Sequence, residues 1–256
     1  MMKHRTRAAI ALALAGTVLG GGRAAGQQAV MDTAATNALG RMGQYLAQLT
    51  EMQVNATITK EDVLPDGQKV QTSGTADLVA VRPNRLRVAI DGDRQQRLLL
   101  YDGTTFTVWA PKLRYYASAP APPSIIQLAD TLEDRFNIEL PLVDLFRWGT
   151  PNAPLSEIRG ARDIGPSAVG GVTCEHYAFR QNGLDWEVWI QKGEHPLPRK
   201  LVLNTLNDPA RPQYTATYTW NLAPSYGRDS FTFVAPPDAR AIPFSQMRPA
   251  YALGQQ

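Results

Sequence analysis

The sequence is poor in the side chains that metal sites and many enzymes depend on. It has one cysteine, Cys174, and three histidines, of which only His176 and His195 lie beyond the N-terminal segment. A single cysteine excludes an intramolecular disulfide; we interpret it as a buried thiol, with an intermolecular disulfide or a reactive thiol as alternatives. Neither histidine has a second ligand at the close spacing typical of metal sites. We therefore expect no metal and no cofactor.

Sequence motifs of catalysis are also missing. The chain contains no Gly-x-Ser-x-Gly, no phosphate-binding glycine loop and no metalloprotease helix motif. The carboxylates Asp130, Glu133 and Asp134 crowd one predicted helix at a spacing typical of a solvated face. These absences predict a protein that is not an enzyme.

Long hydrophobic runs are absent except near the N-terminus, where Ala8–Leu19 is apolar but too short to span a membrane. The basic residues Lys3, Arg5 and Arg7 precede it, and Ala24-Ala25-Gly26 follows it. This order predicts a secretion signal peptide over residues 1–26, cleaved before Gln27, and a periplasmic location. No cysteine lies near the cut, so we expect no lipoprotein anchor. An uncleaved N-terminal anchor is the alternative.

An excess of basic charge is absent once that segment is set aside. Residues 1–26 hold four of the 26 basic residues and none of the 23 acidic ones, which leaves a net charge of about −1. No basic stripe with interleaved aromatics remains, so we expect no nucleic-acid partner. We expect residues 27–256 to form one domain, because no linker or repeat divides them.

The pattern of apolar residues predicts one leading helix followed mainly by strands. Apolar residues recur at helical spacing over Asp32–Met52, with Asp32 or Thr33 as the cap. Alternation and turn dipeptides then predict about ten or eleven antiparallel strands. The strand-like segments from which this number is estimated are Val54–Ile58, Lys69–Val81, Leu86–Ile90, Leu98–Tyr101, Thr105–Ala110, Leu113–Ala117, Ala161–Pro166, Val172–Arg180, Leu184–Gln191, Lys200–Leu206, Gln213–Leu222 and Ser230–Val234.

One predicted hairpin is apolar on both faces. Leu98–Tyr101 and Thr105–Ala110 flank the turn dipeptide Asp102-Gly103. A half-exposed antiparallel strand normally alternates apolar and polar residues. This hairpin must therefore be covered twice, once by the core and once by a helix, another chain or a ligand.

A helical insert interrupts the strands. Residues Ser124–Phe136 carry apolar side chains at near-helical spacing, and Leu142–Trp148 is apolar on several sides. We interpret the insert, Ser124–Trp148, as a lid or plug.

The order of several motifs resembles a known family. The motifs are Arg82–Arg87 before a strand, the aromatic hairpin Tyr101–Trp109, the run Val169–Tyr177, Trp189-Ile190 followed by Pro196-Leu197-Pro198, and Phe231–Phe233 before Pro236-Pro237. Together they resemble an uncharacterised family of predicted bacterial periplasmic proteins, related to the lipoprotein carrier LolA and the sensor RseB.

The resemblance implies an α+β, mainly β fold: a strongly curved, unclosed antiparallel half-barrel with helices on its concave side. It also implies a space between sheet and helices that accepts a lipid, an acyl chain or a lipoprotein. From the aromatic and apolar residues of the hairpin, the insert and the later strands, we expect this space to be lined by Leu99, Tyr101, Phe106, Trp109, Phe136, Phe146, Trp148, Trp186 and Trp220.

Two other interpretations use the same residues. The first is an RseB-type interaction or sensor module whose apolar surface binds another envelope protein. The second is a structural role in which the insert plugs the space permanently. In each case we expect a monomer without a stable membrane anchor.

Overall fold

We describe the protein from a computed structural model, which covers residues 30–136, 138, 140–151, 153 and 155–244. The expected signal peptide lies outside these described residues. These described residues form three α-helices, α1 (Thr33–Gln48), α2 (Ile125–Phe136) and α3 (Asp144–Arg147), with a 3₁₀ turn at Leu155–Glu157. The strands are β1 (Glu51–Val63), β2 (Lys69–Val81), β3 (Arg85–Gly92), β4 (Gln96–Tyr101), β5 (Thr105–Ala110), β6 (Tyr115–Pro120), β7 (Gly160–Val169), β8 (Val172–Gln181), β9 (Leu184–Gln191), β10 (Pro198–Thr205), β11 (Gln213–Asn221) and β12 (Arg240–Ala241).

All these strands form one curved, unclosed sheet. Its order is β12-β6-β5-β4-β3-β2-β1-β11-β10-β9-β8-β7, so the two meanders meet where β1 pairs with β11. Every pairing is antiparallel except that of the two-residue β12 with β6. The predicted mainly β, unclosed half-barrel is confirmed.

The leading helix is shorter than predicted. The Asp32 carboxylate caps it by accepting a hydrogen bond from the Ala34 amide at 2.8 Å, as expected of an N-cap. The helix ends at Gln48, because the backbone is extended at Leu49 and β1 begins at Glu51. The prediction that it reaches Met52 is wrong. Met52 fits both the helical spacing and the alternation with Val54, and pairing with Ala80 of β2 places it in the sheet.

The helices cover one face of the sheet and create two adjoining cores. Helices α2 and α3 pack on β1–β5 through side chains such as Leu128, Leu132 and Phe146. Helix α1 packs on β8 and β9 through Leu39, Met42 and Leu46, among others. The two cores share the half-buried residues Leu49, Leu201 and Trp220. No helix in the described part of the chain is long and apolar enough to cross a membrane.

The insert is docked at its N-terminal end, and an ion pair joins its two helices. The Ser124 hydroxyl accepts a hydrogen bond from the Gln127 amide, and the Ile125 amide donates to the Pro83 carbonyl at 2.9 Å. Arg147 of α3 bonds Asp130 of α2 at 3.0 Å. The predicted helical segment Leu142–Trp148 forms only one short helix, because Leu142 has a φ of 60° and cannot continue a right-handed turn.

Residues 222–244 form a segment that we call the C-terminal strap. The prediction of a strand at Ser230–Val234 is wrong, since these residues form a turn, a bend and irregular backbone without sheet pairing. The strap crosses the face opposite to the helices, and its last strand, β12, pairs along β6. Phe244 then contacts Phe106 and Phe136 on the helix side, with ring centroids 6.3 and 5.1 Å apart. The strap therefore wraps around the β6 edge.

Candidate ligand-binding cavity

A cavity of about 840 Å³ lies between the concave face of the sheet and the insert. It exists because the inward positions of β2 and β3 carry little side-chain volume. Gly74 pairs with Gly92, and the neighbouring inward residue of β2 is Ala76. A Cβ on Gly74 would lie 2.9 Å from the Asp91 carbonyl oxygen, so this position has no room for a side chain. The glycines and Ala76 form a shallow floor that α2 does not fill.

The walls and roof of the cavity are largely apolar. The sheet contributes Ile58 and Ile90 beside the floor, and further along it Leu201, Leu203, Tyr214, Tyr218, Trp186 and Val188. The roof comes from the insert and from α1, with Met42, Ala129, Ile138, Leu140, Leu142, Val143, Leu145 and Trp148. Large apolar surfaces therefore face each other across an open space.

Charged residues of the sheet line the end of the cavity near β1–β4, and Glu133, Asp144 and Arg147 line it from the insert. Lys60 and Arg94 both contact the carboxylate of Asp62, each at 3.3 Å. Asp93 accepts a hydrogen bond from the Ser73 amide at 2.7 Å, and Arg97 lines the same end. The cavity thus has one charged, exposed end and one apolar end.

Two of the nine residues expected to line the cavity do so. Trp148 from the end of the insert and Trp186 from β9 lie there with ring centroids 5.7 Å apart. Leu99, Tyr101, Phe106 and Phe146 are at most 3% exposed and belong to the core between the sheet and α2. Phe136 and Trp220 do not line the cavity either. Phe136 packs on Phe244, and Trp220 donates a hydrogen bond to the Pro198 carbonyl at 2.8 Å.

Trp109 lies on the opposite face of the sheet, where the strap explains the two-sided hairpin. The Phe233 ring of the strap packs on Trp109 and Tyr116, with centroids 5.8 and 4.9 Å away. Phe231 lines a second cavity of about 310 Å³ between strap and sheet. The second apolar face of the hairpin is therefore covered by the protein's own chain. Leu99 and Trp109 are 3% and 6% exposed, so they do not form a surface that a partner protein can reach.

Sequence reasoning missed the residues that make the space. Gly74, Ala76 and Gly92 were detectable as small residues at inward positions of predicted strands, next to Ile58 and Ile90. Arg97 was detectable as a charged residue in register with the inward Leu99 and Tyr101 of β4. Small residues at inward positions of a strand therefore indicate where a cavity lies, as aromatic residues do.

Burial shifts the pKa of two ionisable side chains near the cavity and the core, Tyr218 and Arg82. Burial raises the pKa of Tyr218, which lines the cavity, well above its ordinary value. Burial also lowers the pKa of Arg82, whose guanidinium lies 5.0 Å from the centre of the Phe146 ring. Both shifts oppose the charged form of the side chain, as expected in an apolar environment.

The cysteine and the histidines lie away from the cavity. Cys174 is buried, which confirms the sequence interpretation, and its burial raises the pKa of the thiol. The His176 ring stacks on Trp189 and lies 2.7 Å from the Glu187 carboxylate. The His195 ring lies 2.8 Å from the Tyr45 hydroxyl. Among the described residues, no three metal-ligating side chains come together.

Residues 35–245 match the family described as a predicted periplasmic protein, DUF2092. The chain belongs to this family. The expected assignment to a family of predicted periplasmic proteins is confirmed. The matched region contains the sheet, nearly all of the helical residues and the strap of this DUF2092 protein. The signal peptide and the absence of a lipid anchor stay predictions. No curated protein sequence matches the chain.

Solved structures similar to this DUF2092 protein include three proteins of low sequence identity. The Mycobacterium tuberculosis lipoprotein LppX is 12% identical, with a TM-score of 0.47, over 76% of this chain and 98% of LppX. MucB is 12% identical, with a TM-score of 0.40, over 80% and 64% of the two chains. A LolA superfamily protein from Nitrosomonas europaea is 10% identical, with a TM-score of 0.37, over 78% and 97%.

Proposed function

We propose that this periplasmic protein binds or carries a hydrophobic guest, such as an acyl chain, in the cavity between the sheet and the insert, without covalent chemistry. The observation that supports this proposal is the cavity itself. Its volume of about 840 Å³ lies within the range of roughly 300–1,000 Å³ typical of small-molecule sites. Its largely apolar walls suit a guest without many hydrogen-bonding groups.

Burial of apolar surface would supply the affinity. A guest that transfers about 200 Å² of apolar surface from water into the cavity gains about 5 kcal/mol. Part of this gain is offset by the loss of the guest's translational freedom. A gain of about 5 kcal/mol corresponds to a Kd of about 0.2 mM, so a guest that binds at micromolar affinity must bury more apolar surface or make polar contacts as well.

Two measurements test the proposal. Native mass spectrometry of the purified protein, with organic extraction, identifies a co-purified lipid. Titration with a fluorescent fatty acid then measures binding of a known probe. A protein that is consistently lipid-free and does not bind the probe would overturn the proposal. A stable envelope protein recovered from periplasm in place of a lipid would support the interaction-module interpretation instead.

A matched pair of variants on β1 locates the site. Ile58 points into the cavity, whereas the exposed Thr57 points to the opposite face of the same strand. Ile58→Trp fills part of the space, so we expect it to weaken binding of the probe at least tenfold. Thr57→Trp adds the same side chain outside the cavity and should bind the probe like the wild type. Equal affinities of the two variants would exclude the cavity as the site.

A further inference from the structure

Arg97 is a cation at the cavity that has no ion-pair partner among the described residues. It lies on β4, in register with Leu99 and Tyr101, which face the helices, and it lines the exposed end of the cavity. No described residue forms an ion pair or a hydrogen bond with its side chain. A guanidinium presents paired N–H donors that match a carboxylate or a phosphate. Arg97 is therefore free to bind an anionic group at the cavity entrance.

The neighbouring charges add to this positive end. Lys60 and Arg94 share the single carboxylate of Asp62, and Asp93 is engaged by the Ser73 amide. On the sheet side, three cations (Lys60, Arg94 and Arg97) therefore lie near two carboxylates (Asp62 and Asp93). Across the cavity, Arg147 is shared by Asp130 at 3.0 Å and Glu133 at 3.5 Å and offsets part of their charge, and Asp144 of α3 also lines the cavity. An anion beside Arg97 would meet a locally positive surface of the sheet.

The opposite end of the cavity is apolar. Trp148 and Trp186 lie there, together with Met42, Leu145 and Val188. Trp186 lies on β9 and Arg97 on β4, so six strand spacings separate them in the sheet order. At about 4.8 Å per spacing this is about 29 Å along the curved surface. One leaflet's acyl chain spans about 15 Å, so the cavity is long enough for an acyl chain with its head group.

We propose that the guest is an anionic amphiphile whose carboxylate or phosphate lies beside Arg97 and whose tail points toward Trp148 and Trp186. This inference rests on the proposed function and adds the class of the ligand and its direction. It requires that charge at one end of the ligand contributes to affinity, and that the tail end approaches the two tryptophans.

The charge requirement is tested by titrating the full chain with oleate and with oleyl alcohol. Arg97→Gln should weaken oleate binding roughly fivefold, the effect of one exposed charge-assisted contact, and should weaken oleyl alcohol less. Arg162→Gln, which removes an exposed arginine from the edge strand β7, is the control and should leave both affinities unchanged. Added salt should weaken oleate binding by the wild type more than by Arg97→Gln.

The outcomes separate this inference from the proposed function. If the wild type binds both probes equally and Arg97→Gln changes neither, the head-group assignment is wrong and the cavity proposal stands. If the wild type binds neither probe, both are wrong. Dodecyl phosphate should compete with oleate, whereas inorganic phosphate alone should not. Equal competition by inorganic phosphate would indicate a free-anion site and overturn the amphiphile assignment.

The direction of the tail is tested by quenching of tryptophan fluorescence with spin-labelled stearates. A label near the methyl end should quench Trp148 and Trp186 more strongly than a label near the carboxylate. The difference should disappear in the double variant Trp148→Phe/Trp186→Phe, which keeps an aromatic ring at each position. Stronger quenching by the label near the carboxylate would reverse the proposed direction.

Discussion

The docking of α1 against the C-terminal end of the insert depends on two glycines in direct backbone contact, Gly43 of α1 and Gly149, which directly follows the insert. A Cβ on Gly43 of α1 would lie 2.7 Å from the Gly149 nitrogen and 3.1 Å from the Gly149 Cα. A Cβ on Gly40, one turn earlier on the same helix, would meet nothing within 4 Å. Gly43→Ala and Gly40→Ala therefore add the same methyl group to the same helix, but only the methyl group at Gly43 meets Gly149. The pair tests whether the cavity roof is held as described.

The expected magnitudes follow from two opposing effects. Replacing glycine by alanine in a helix interior stabilises the folded state by about 1 kcal/mol. At Gly43 the added methyl must displace backbone atoms, and such overpacking costs about 1–3 kcal/mol. Gly40→Ala should therefore be more stable than the wild type by about 1 kcal/mol, and Gly43→Ala less stable than Gly40→Ala by about 1–3 kcal/mol.

Thermal unfolding followed by circular dichroism measures this difference. For a domain of this size, 1 kcal/mol shifts Tm by roughly 2–4 °C, so the two variants should differ by roughly 2–12 °C. Urea unfolding supplies an independent free energy of unfolding. If Gly43→Ala is as stable as Gly40→Ala, α1 and the insert do not meet at Gly43 and Gly149 in solution. The assignment of the roof would then be refuted.

Two further predictions concern the strap and alkaline stability. Phe233→Ala removes the ring packed on Trp109 and Tyr116 and should lower the free energy of unfolding by about 1–3 kcal/mol. Val234→Ala, at a position that is 80% exposed, is the control and should change it by less than about 0.5 kcal/mol; equal effects would mean that the strap is not packed there. The pKa of Tyr218 is raised in the folded state by burial, so its contribution to stability is present below the ordinary tyrosine value of about 10 and lost as the pH rises above it. Stability of the wild type should therefore fall more steeply above that pH than stability of Tyr218→Phe, measured by urea unfolding; parallel pH profiles would contradict the burial of this phenol.

Strands and turns were predictable because their signals are local. Asp102-Gly103 and Asn182-Gly183 indicated tight turns, and Gly103 and Gly183 have φ values of 99° and 74°. Alternation of apolar side chains located most strands to within a few residues. The prediction failed at Met52, where two periodicities overlap, and at Ser230–Val234, where an alternating segment packs flat on the sheet instead of joining it.

The cavity was less predictable than the fold. Aromatic residues in strands can face a core, an open space or a covering segment, and the sequence does not distinguish these environments. Tyr101 and Phe106 face α2, Trp186 faces open space, and Trp109 faces the strap. The choice depends on which distant segment packs opposite each ring.

By itself the sequence determined the class of this protein: a mainly β chain with a leading helix, a helical insert and few groups suited to covalent chemistry. These properties follow from periodicity, turn residues and composition, which act over short stretches of chain. Only the tertiary structure decided that the strap covers the second face of the aromatic hairpin. It also decided that the open space lies over Gly74, Ala76 and Gly92. The physical reason is that a cavity is volume left unfilled by segments far apart in sequence, and curvature of the sheet sets how those segments meet.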